Sequence, residues 1–376
     1  MGVRFPHAGP NIMKTVSVNI LLDRTYIIPN SIKPNWDDKL KKNILFVKEN
    51  NKGTNVHVVL HLVKEHYQWD VIDNYFIPVI NRIMDECSIV DFNYVLNRVG
   101  SSYSYKNASN ILFVEYFAMQ THRLINEGVH PYNKIWNTNS DKGLFLVGKP
   151  NKMNRLPILY QLYKKDSLDK FEWSLYLDDD IVTSIKKANI LELDDNELST
   201  FLEHCGRKPD KAPIKFNKTD DGDVVHDYSG FPFDSSLYEN TLFSLISETE
   251  FNDSGSIFIT EKTWRTIVNK HPFIMAGTVN ILSHLKSLGF RTFEKYLPIP
   301  DYDSIANNKD RLDAICINLS YDFKDRIEEI NNDVEYNFHH FSKYAQGEFA
   351  RLENLYSSSE STKLARFLID IVRYGN

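Results

Sequence analysis

The sequence predicts an α/β protein of two lobes, each built on a parallel sheet with helices on its faces. Three observations predict it. Short β-rich apolar runs alternate with stretches whose apolar residues recur at helical spacing, the pattern of repeated strand–helix units. The alternation is interrupted by the polar segment NTNSDKG, residues 137–143, and restarts beyond it. At 376 residues the chain exceeds one ordinary core and fits two domains. Two Rossmann-like lobes facing each other across a cleft are the simplest such architecture, with ligand expected at the carboxyl ends of the strands.

In the first lobe, residues 13–137, the runs TVSVNILL, VHVVLHLV, SIVDFNYV and ILFVEYF read as strands. DDKLKKNILFVKEN, DVIDNYFIPVINRIMDEC and AMQTHRLI read as the helices among them. The second lobe, residues 143–350, opens with strand GLFLVGK, helix NRLPILYQLYKKDSL, strand FEWSLYL and helix NELSTFLEHCG. Residues 207–236 concentrate Pro, Asp and Gly and read as an irregular insertion. The rhythm resumes with NTLFSLISETEF and SIFI as strands, TEKTWRTIVNK as a helix, HPFIMAG as a strand and TVNILSHLKSLGF as a helix. DRLDAICINL and the terminal STKLARFLIDIVRYG are helical; the latter, within residues 351–376, is expected to pack back on the first lobe. Residues 1–12 carry no pattern and are set aside as a leader or tag.

Composition excludes several classes. With 42% hydrophobic and 25% charged residues the chain reads as globular throughout. A formal charge of −6 argues against a surface that coats phosphates wholesale, leaving room only for a local basic cleft. The three cysteines, Cys87, Cys205 and Cys316, are odd in number and far apart, which suggests neither a disulfide framework nor a zinc pair. No run of 18 apolar residues and no signal-peptide h-region occur, so the expectation is a cytoplasmic protein without a membrane span.

The stretch SIFITEKTWRTIVNKHPFIMAG draws most attention. Thr260 follows an apolar run and precedes Trp264, Ile267 and Val268 at helical spacing, the place of an N-cap. A helix start offers unpaired N–H groups and partial positive charge, which favour phosphate. Lys262 adds a full charge for a diphosphate, and Glu261 suits two ribose hydroxyls. The competing reading is ordinary: an acid in a first helical turn contributes roughly 0.3–1 kcal/mol against the macrodipole, and the lysine is solvated.

Surrounding segments bear on that choice. SLISETEF, FITEKTWRTIVNKHPFIMAG, LKSLGFRTF and DYDSIANNKDRLDAI, within Leu242–Leu319, resemble the C-terminal half of a group of glycosyltransferases common in phages and large viruses. That group is distantly similar to the α-1,3-fucosyltransferases, enzymes of the two-lobed GT-B type, whose nucleotide lobe carries an ENS…TEK pattern. The resemblance extends more weakly to LFLVGKPNKMNRLPILYQLYKKDSLDKFEWSLY, and the first 136 residues carry no matching motif. It implies that Lys262 contacts the donor diphosphate, Glu261 the ribose, and Arg155 a phosphate, for which a planar guanidinium is well shaped. Lys149 and Lys152 would add charge beside Arg155, or form an ordinary basic loop. Glu248 ends its strand where a carboxylate would meet a sugar hydroxyl or cap the loop, and Asn240 loosely matches the asparagine of ENS. The chain departs from the family's TEKTxKPI in having Arg265 and Thr266, so its helix lacks the proline kink.

YLDDDIV offers Asp178 and Asp180 as an Asp-x-Asp of the sort that holds a divalent cation, or as a solvated turn. His57 and His61 alternate onto one face of a strand, and His339 and His340 lie in an aromatic helical run; packing suits both pairs better than metal. Inverting glycosyl transfer requires a base that takes the proton of the acceptor hydroxyl. Glu115, in an apolar run, leads the candidates, with Asp91 and His122 behind it.

The sequence therefore reads as a metal-independent glycosyltransferase with no tightly bound cofactor, using a UDP- or GDP-sugar as donor. Two acceptors fit: a hydroxylated base in viral DNA, flipped into the pocket, or a glycan. The competing classes are a metal-dependent transferase built on Asp178 and Asp180, and a non-catalytic nucleotide- or nucleic-acid-binding protein.

Overall fold

The structure, a computed structural model, describes residues 15–21, 27–28, 31–32, 36–52, 55–62, 72–97, 111–126, 128, 136–147, 154–175, 182–183, 185–186, 191–205, 236–252 and 257–355. Residues 1–12, Lys149, Lys152, Asp178, Asp180, the 207–235 stretch and the terminal run 362–375 lie outside the described residues. The chain divides into two compact units. Described residues up to 97, from 111 to 116 and from 348 to 355 fall in one, and those from 117 to 347 in the other.

The first unit carries a parallel sheet of β1 (Thr15–Leu21), β4 (Asn55–Leu62), β5 (Asp91–Asn97) and β6 (Ile111–Val114), in that spatial order. A two-residue antiparallel ladder joins β2 (Ile27–Ile28) to β3 (Ser31–Ile32). Helix α1 (Trp36–Asn50) buries Trp36, Leu40 and Ile44, one face at i, i+4, i+8. These pack with Ile77, Ile80 and Ile83 of α2 (Ile77–Glu86) and with Val58, Leu60, Tyr94 and Leu96 of the sheet. Each such side chain contributes roughly 1.5–3 kcal/mol on burial. Pro78 near the start of α2 has no N–H to give, and the turn before it, Ile72–Phe76, is a π-helix rather than a continuation of α2.

Helix α3 (Tyr116–Asn126) begins two residues after β6, so the expected strand ILFVEYF ends at Val114. From Phe117 to Gly347 the described residues belong to the second unit, including the 137–143 segment. That segment is fastened at both ends: just before it the Trp136 indole N–H donates to Leu242 O at 2.7 Å, and near its close Lys142 O accepts the Leu242 N–H at 2.7 Å.

The second unit runs β7 (Gly143–Leu146), α4 (Arg155–Lys164), β8 (Phe171–Ser174), α5 (Asp195–Cys205), the single turn α6 (Ser236–Glu239), β9 (Phe243–Ser247), α7 (Glu261–Val268), β10 (Phe273–Ala276), α8 (Ile281–Ser287), α9 (Asn308–Asn318) and α10 (Ile327–Leu355) up to Gly347. Its parallel sheet has the spatial order β10-β9-β7-β8. The chain thus steps outward from β7 to β8, then crosses back over β7 to place β9 and β10 on its other side. The reversal between β7 and β9 is a topological switch point, where the connections leaving adjacent strands diverge and open a crevice at their carboxyl ends. The first sheet, ordered as it occurs in the chain, has no such reversal among its described strands.

SIFI was expected to form a strand; Ile257–Thr260 instead runs as irregular chain before α7. Phe258 and Ile259 are apolar because they are buried, not because they pair in a ladder, and the N–H of Thr260 goes to a carboxylate. GFRTF belongs to a clamp on α10. Asp333 accepts from Arg291 at 3.0 Å and Tyr296 at 2.9 Å and pairs with Lys295 at 2.7 Å, while Arg291 lies over the Tyr336 ring. His340 packs against Phe290, whereas His339 is largely exposed.

Helix α8 closes in a Schellman motif, Phe290 N–H to Leu285 O and Gly289 N–H to Lys286 O, with Gly289 at φ +90°. A Cβ on Gly289 would meet the His340 ring at 2.7 Å. Gly289→Ala is expected to destabilise the protein by about 1–3 kcal/mol, read as a lower urea midpoint with an unchanged slope; an unaltered midpoint would refute this account of the turn.

Two buried titrating groups in this unit oppose one another. His271 accepts from Ser244 Oγ and donates to Thr241 O, and burial lowers its pKa to about 4. As pH falls through 6.5 the unfolded chain takes a proton that the native one refuses until about 4, so His271 contributes stability above this window and loses it on acidification. Asp303 accepts the Leu282 and Ser283 N–H groups at the start of α8; burial raises it to about 6 although those bonds pull it down. Its contribution has the reverse sign, full below 3.8 and lost as pH rises through about 6. Each effect amounts to about 3 kcal/mol. Asp303→Asn, which keeps an acceptor for both N–H groups, is expected to lose stability more steeply than the wild type between pH 6.5 and 4. Parallel urea midpoints across that range would contradict it.

Candidate functional site

At the carboxyl end of β9 the chain meets the start of α7. Thr260 is the N-cap, with extended backbone and a hydroxyl that accepts from the Lys262 N–H. The organising group is Glu248, whose side chain is wholly buried. Its carboxylate accepts the Thr260 N–H at 3.1 Å, the Thr260 hydroxyl at 2.6 Å and the Thr263 hydroxyl at 2.6 Å. A buried carboxylate requires such donors, and it is well placed against the positive end of a helix. Glu248 therefore builds the turn.

This changes how phosphate can be held here. The sequence suggests helix amides open to an anion, yet the protein's own carboxylate stands at that end and takes the Thr260 N–H. What faces outward is Lys262, 28% exposed, with Nζ donating to Thr260 Oγ1 at 2.8 Å and Glu261 Oε1 at 3.1 Å, and lying 3.9 Å from Glu248 Oε2. An ammonium has three donors, so the two bonds leave one for a ligand. The Thr260 hydroxyl accepts from Lys262 while donating to Glu248, a relay in which each bond polarises the next.

Glu261 is a quarter exposed. Burial opposes its ionisation, but the charges of Lys262 and Arg265 and the Lys262 hydrogen bond outweigh this and hold the carboxyl at about 2. It stays an acceptor at any physiological pH, as ribose hydroxyls require. Thr266, where the family has proline, donates its hydroxyl to Lys262 O at 2.9 Å within a regular helix.

Across the switch point stands the start of α4. Asn154, fully buried, donates its amide to Glu248 O at 3.0 Å and Ala276 O at 2.9 Å, tying this helix start to the ends of β9 and β10. Arg155, the first residue of α4, is also buried. Three further buried polar atoms at this edge, Asn154 Oδ1, Ser174 Oγ at the end of β8 and Ser247 Oγ at the end of β9, have no hydrogen-bond partner among the described residues. Buried polar groups are satisfied in the great majority of cases, so such orphans mark a place where polar partners are expected.

The other expected residues are scattered. Asn240 precedes β9 at its amino end, with the strand between it and Lys262, so it does not join this group. Glu115 is buried at the carboxyl end of β6. Asp91 opens β5 and stands at the opposite, amino edge of the same sheet. Seven residues of strand span roughly 20 Å, so those two do not serve one site. His122, buried on α3, takes a hydrogen bond from the Asn126 amide at Nε2, 3.0 Å, and burial lowers its pKa.

Asn154 and Thr263 were not singled out from the sequence. Asn154 carried one legible signal, an asparagine immediately before a helical run, but its amide is spent on two strand carbonyls rather than on a cap. Among the described residues no group of three or more His, Cys, Asp or Glu side chains could hold a metal ion, and no helix is long and apolar enough to cross a membrane. Cys87, Cys205 and Cys316 are free thiols, all buried. No family model, curated protein or solved structure matches the chain.

Proposed function

We propose that the chain is a glycosyltransferase of the two-lobed GT-B type that moves a sugar from a nucleoside-diphosphate sugar to a hydroxyl acceptor. The observation that carries this reading is the outward-facing Lys262 ammonium, braced by Thr260 and Glu261 beside the switch point of the second sheet. A lysine next to an ionised glutamate at a strand's carboxyl end suits a diphosphate flanked by a ribose.

In the proposed reaction the acceptor hydroxyl gives its proton to a base, and its oxygen attacks the anomeric carbon. The bond from that carbon to the diphosphate oxygen breaks, and its electron pair leaves with the nucleoside diphosphate. Lys262 and Arg155 stabilise the departing charge, the part a metal ion would otherwise play. Glu115 is the proposed base, and a hydroxylated DNA base the preferred acceptor over a glycan.

One observation favours the binding-only alternative: Glu115 and His122 are both buried, with 3% and 7% exposure. Incubation with a panel of UDP- and GDP-sugars, with and without DNA containing hydroxymethylated pyrimidines and with and without EDTA, separates the readings. Diphosphate release that survives EDTA is the expected result. Nucleotide binding without release from any sugar would favour the binding protein, and release abolished by EDTA the transferase built on Asp178 and Asp180.

A further inference from the structure

The second unit has another concavity at the opposite end of its sheet. A pocket of about 370 Å³ lies where the amino ends of β8 and β9 meet the end of α9 and the turn after it. That volume is in the range of small-molecule sites. Phe171 and Phe243, the first residues of those strands, line it with rings edge-to-face at 5.7 Å. They close over Gly143, where a Cβ would meet the two rings at 2.5 and 2.8 Å, so the aromatic wall depends on that glycine. Tyr321 adds a third ring.

The charged side chains of the lining are Lys165 and Lys170 together with Asp141 and Asp322. Lys165 and Lys170 both border the pocket, both are exposed, and neither forms an ion pair among the described residues. Of the two carboxylates, Asp141 pairs with the Lys324 ammonium, and Asp322 caps the following turn by accepting the Lys324 backbone N–H at 2.9 Å. Cys316 forms part of the wall, and burial pushes its thiol up to about 12.

We propose that this pocket binds a small aromatic anion, its ring against Phe171, Phe243 and Tyr321 and its phosphate or carboxylate met by Lys165 and Lys170. Aromatic walls favour a planar apolar body through edge and face contacts, and two unpaired ammonium groups supply charge-assisted bonds to one anionic group. The site stands apart from the Lys262 edge and does not depend on the glycosyltransferase reading.

Titration calorimetry of the full chain with 1-naphthyl phosphate tests it, with 1-naphthylmethanol and inorganic phosphate as partial probes. Saturable binding with Kd of about 0.1 mM is expected, at least about tenfold weaker for either partial probe. Lys165→Ala/Lys170→Ala, which removes exposed unpaired side chains, is expected to weaken binding tenfold or more. Ile317→Trp, at an exposed lining position, should block it by filling the mouth. Lys262→Ala should leave it unchanged. Absence of saturable binding, equal affinity for the neutral alcohol, indifference to both pocket variants, or loss in Lys262→Ala would each overturn the proposal.

Discussion

Lys262→Ala is expected to lower nucleotide-sugar turnover at least about 100-fold, the scale of removing one preorganised donor from developing negative charge. The fold should survive. Glu248 keeps its three hydrogen bonds from Thr260 and Thr263, none of which involves Lys262. The ammonium is more than a quarter exposed, so its removal leaves no buried charge beyond Glu248 itself, 3.9 Å away. Diphosphate release and thermal melting measured on the same preparation decide the matter. Near-normal release in a folded variant would sink the assignment of the donor site, and Lys262→Arg is expected to recover only part of the rate because a planar fork does not reproduce a point charge.

Glu248→Ala should have the largest effect on stability, a loss of about 3–5 kcal/mol. It strips the acceptor from one buried backbone N–H and two hydroxyls, and hydrogen bonds to a charged group are worth roughly 1.5–3 kcal/mol each. Glu248→Gln keeps one acceptor oxygen but presents an amide to groups that donate, so an intermediate loss is expected. Urea unfolding monitored by tryptophan fluorescence reads both, since Trp264 is buried in the same helix. A loss below about 1 kcal/mol for Glu248→Ala would mean that the turn does not depend on this carboxylate. Because Glu248 acts on Lys262 through Thr260, the glutamine variant should also weaken nucleotide binding in the native protein, an effect absent if the network is only structural.

Much of the second unit is legible in particular residues. FSLIS and FIMA read as buried strands because continuous apolar runs between turn signals have few alternatives. Thr260 reads as an N-cap because a threonine between an apolar run and helical spacing has a local reason to be there. SIFI misled because a buried irregular segment and a buried strand have the same composition. The roles of Glu248 and Asn154 were illegible for another reason. Glu248 acts on residues 12 and 15 positions away, and Asn154 on carbonyls 94 and 122 positions away. No pattern in the intervening chain encodes such meetings.

By itself the sequence determined the alternation of strand and helix, the start of α7 and the residue types carried there, since periodicity and capping are local physics. The order of strands was a tertiary decision. Only long-range pairing of β7 with both β8 and β9 creates the reversal that brings the start of α4 beside Glu248 and Thr260, and the same topology leaves Asn240 at the far end of β9. Which of the charges at the α7 start turns inward was decided there too. A carboxylate that can collect three donors is stable when buried, whereas the lysine beside it, bonded to a hydroxyl and a partly exposed carboxylate, keeps a face toward solvent.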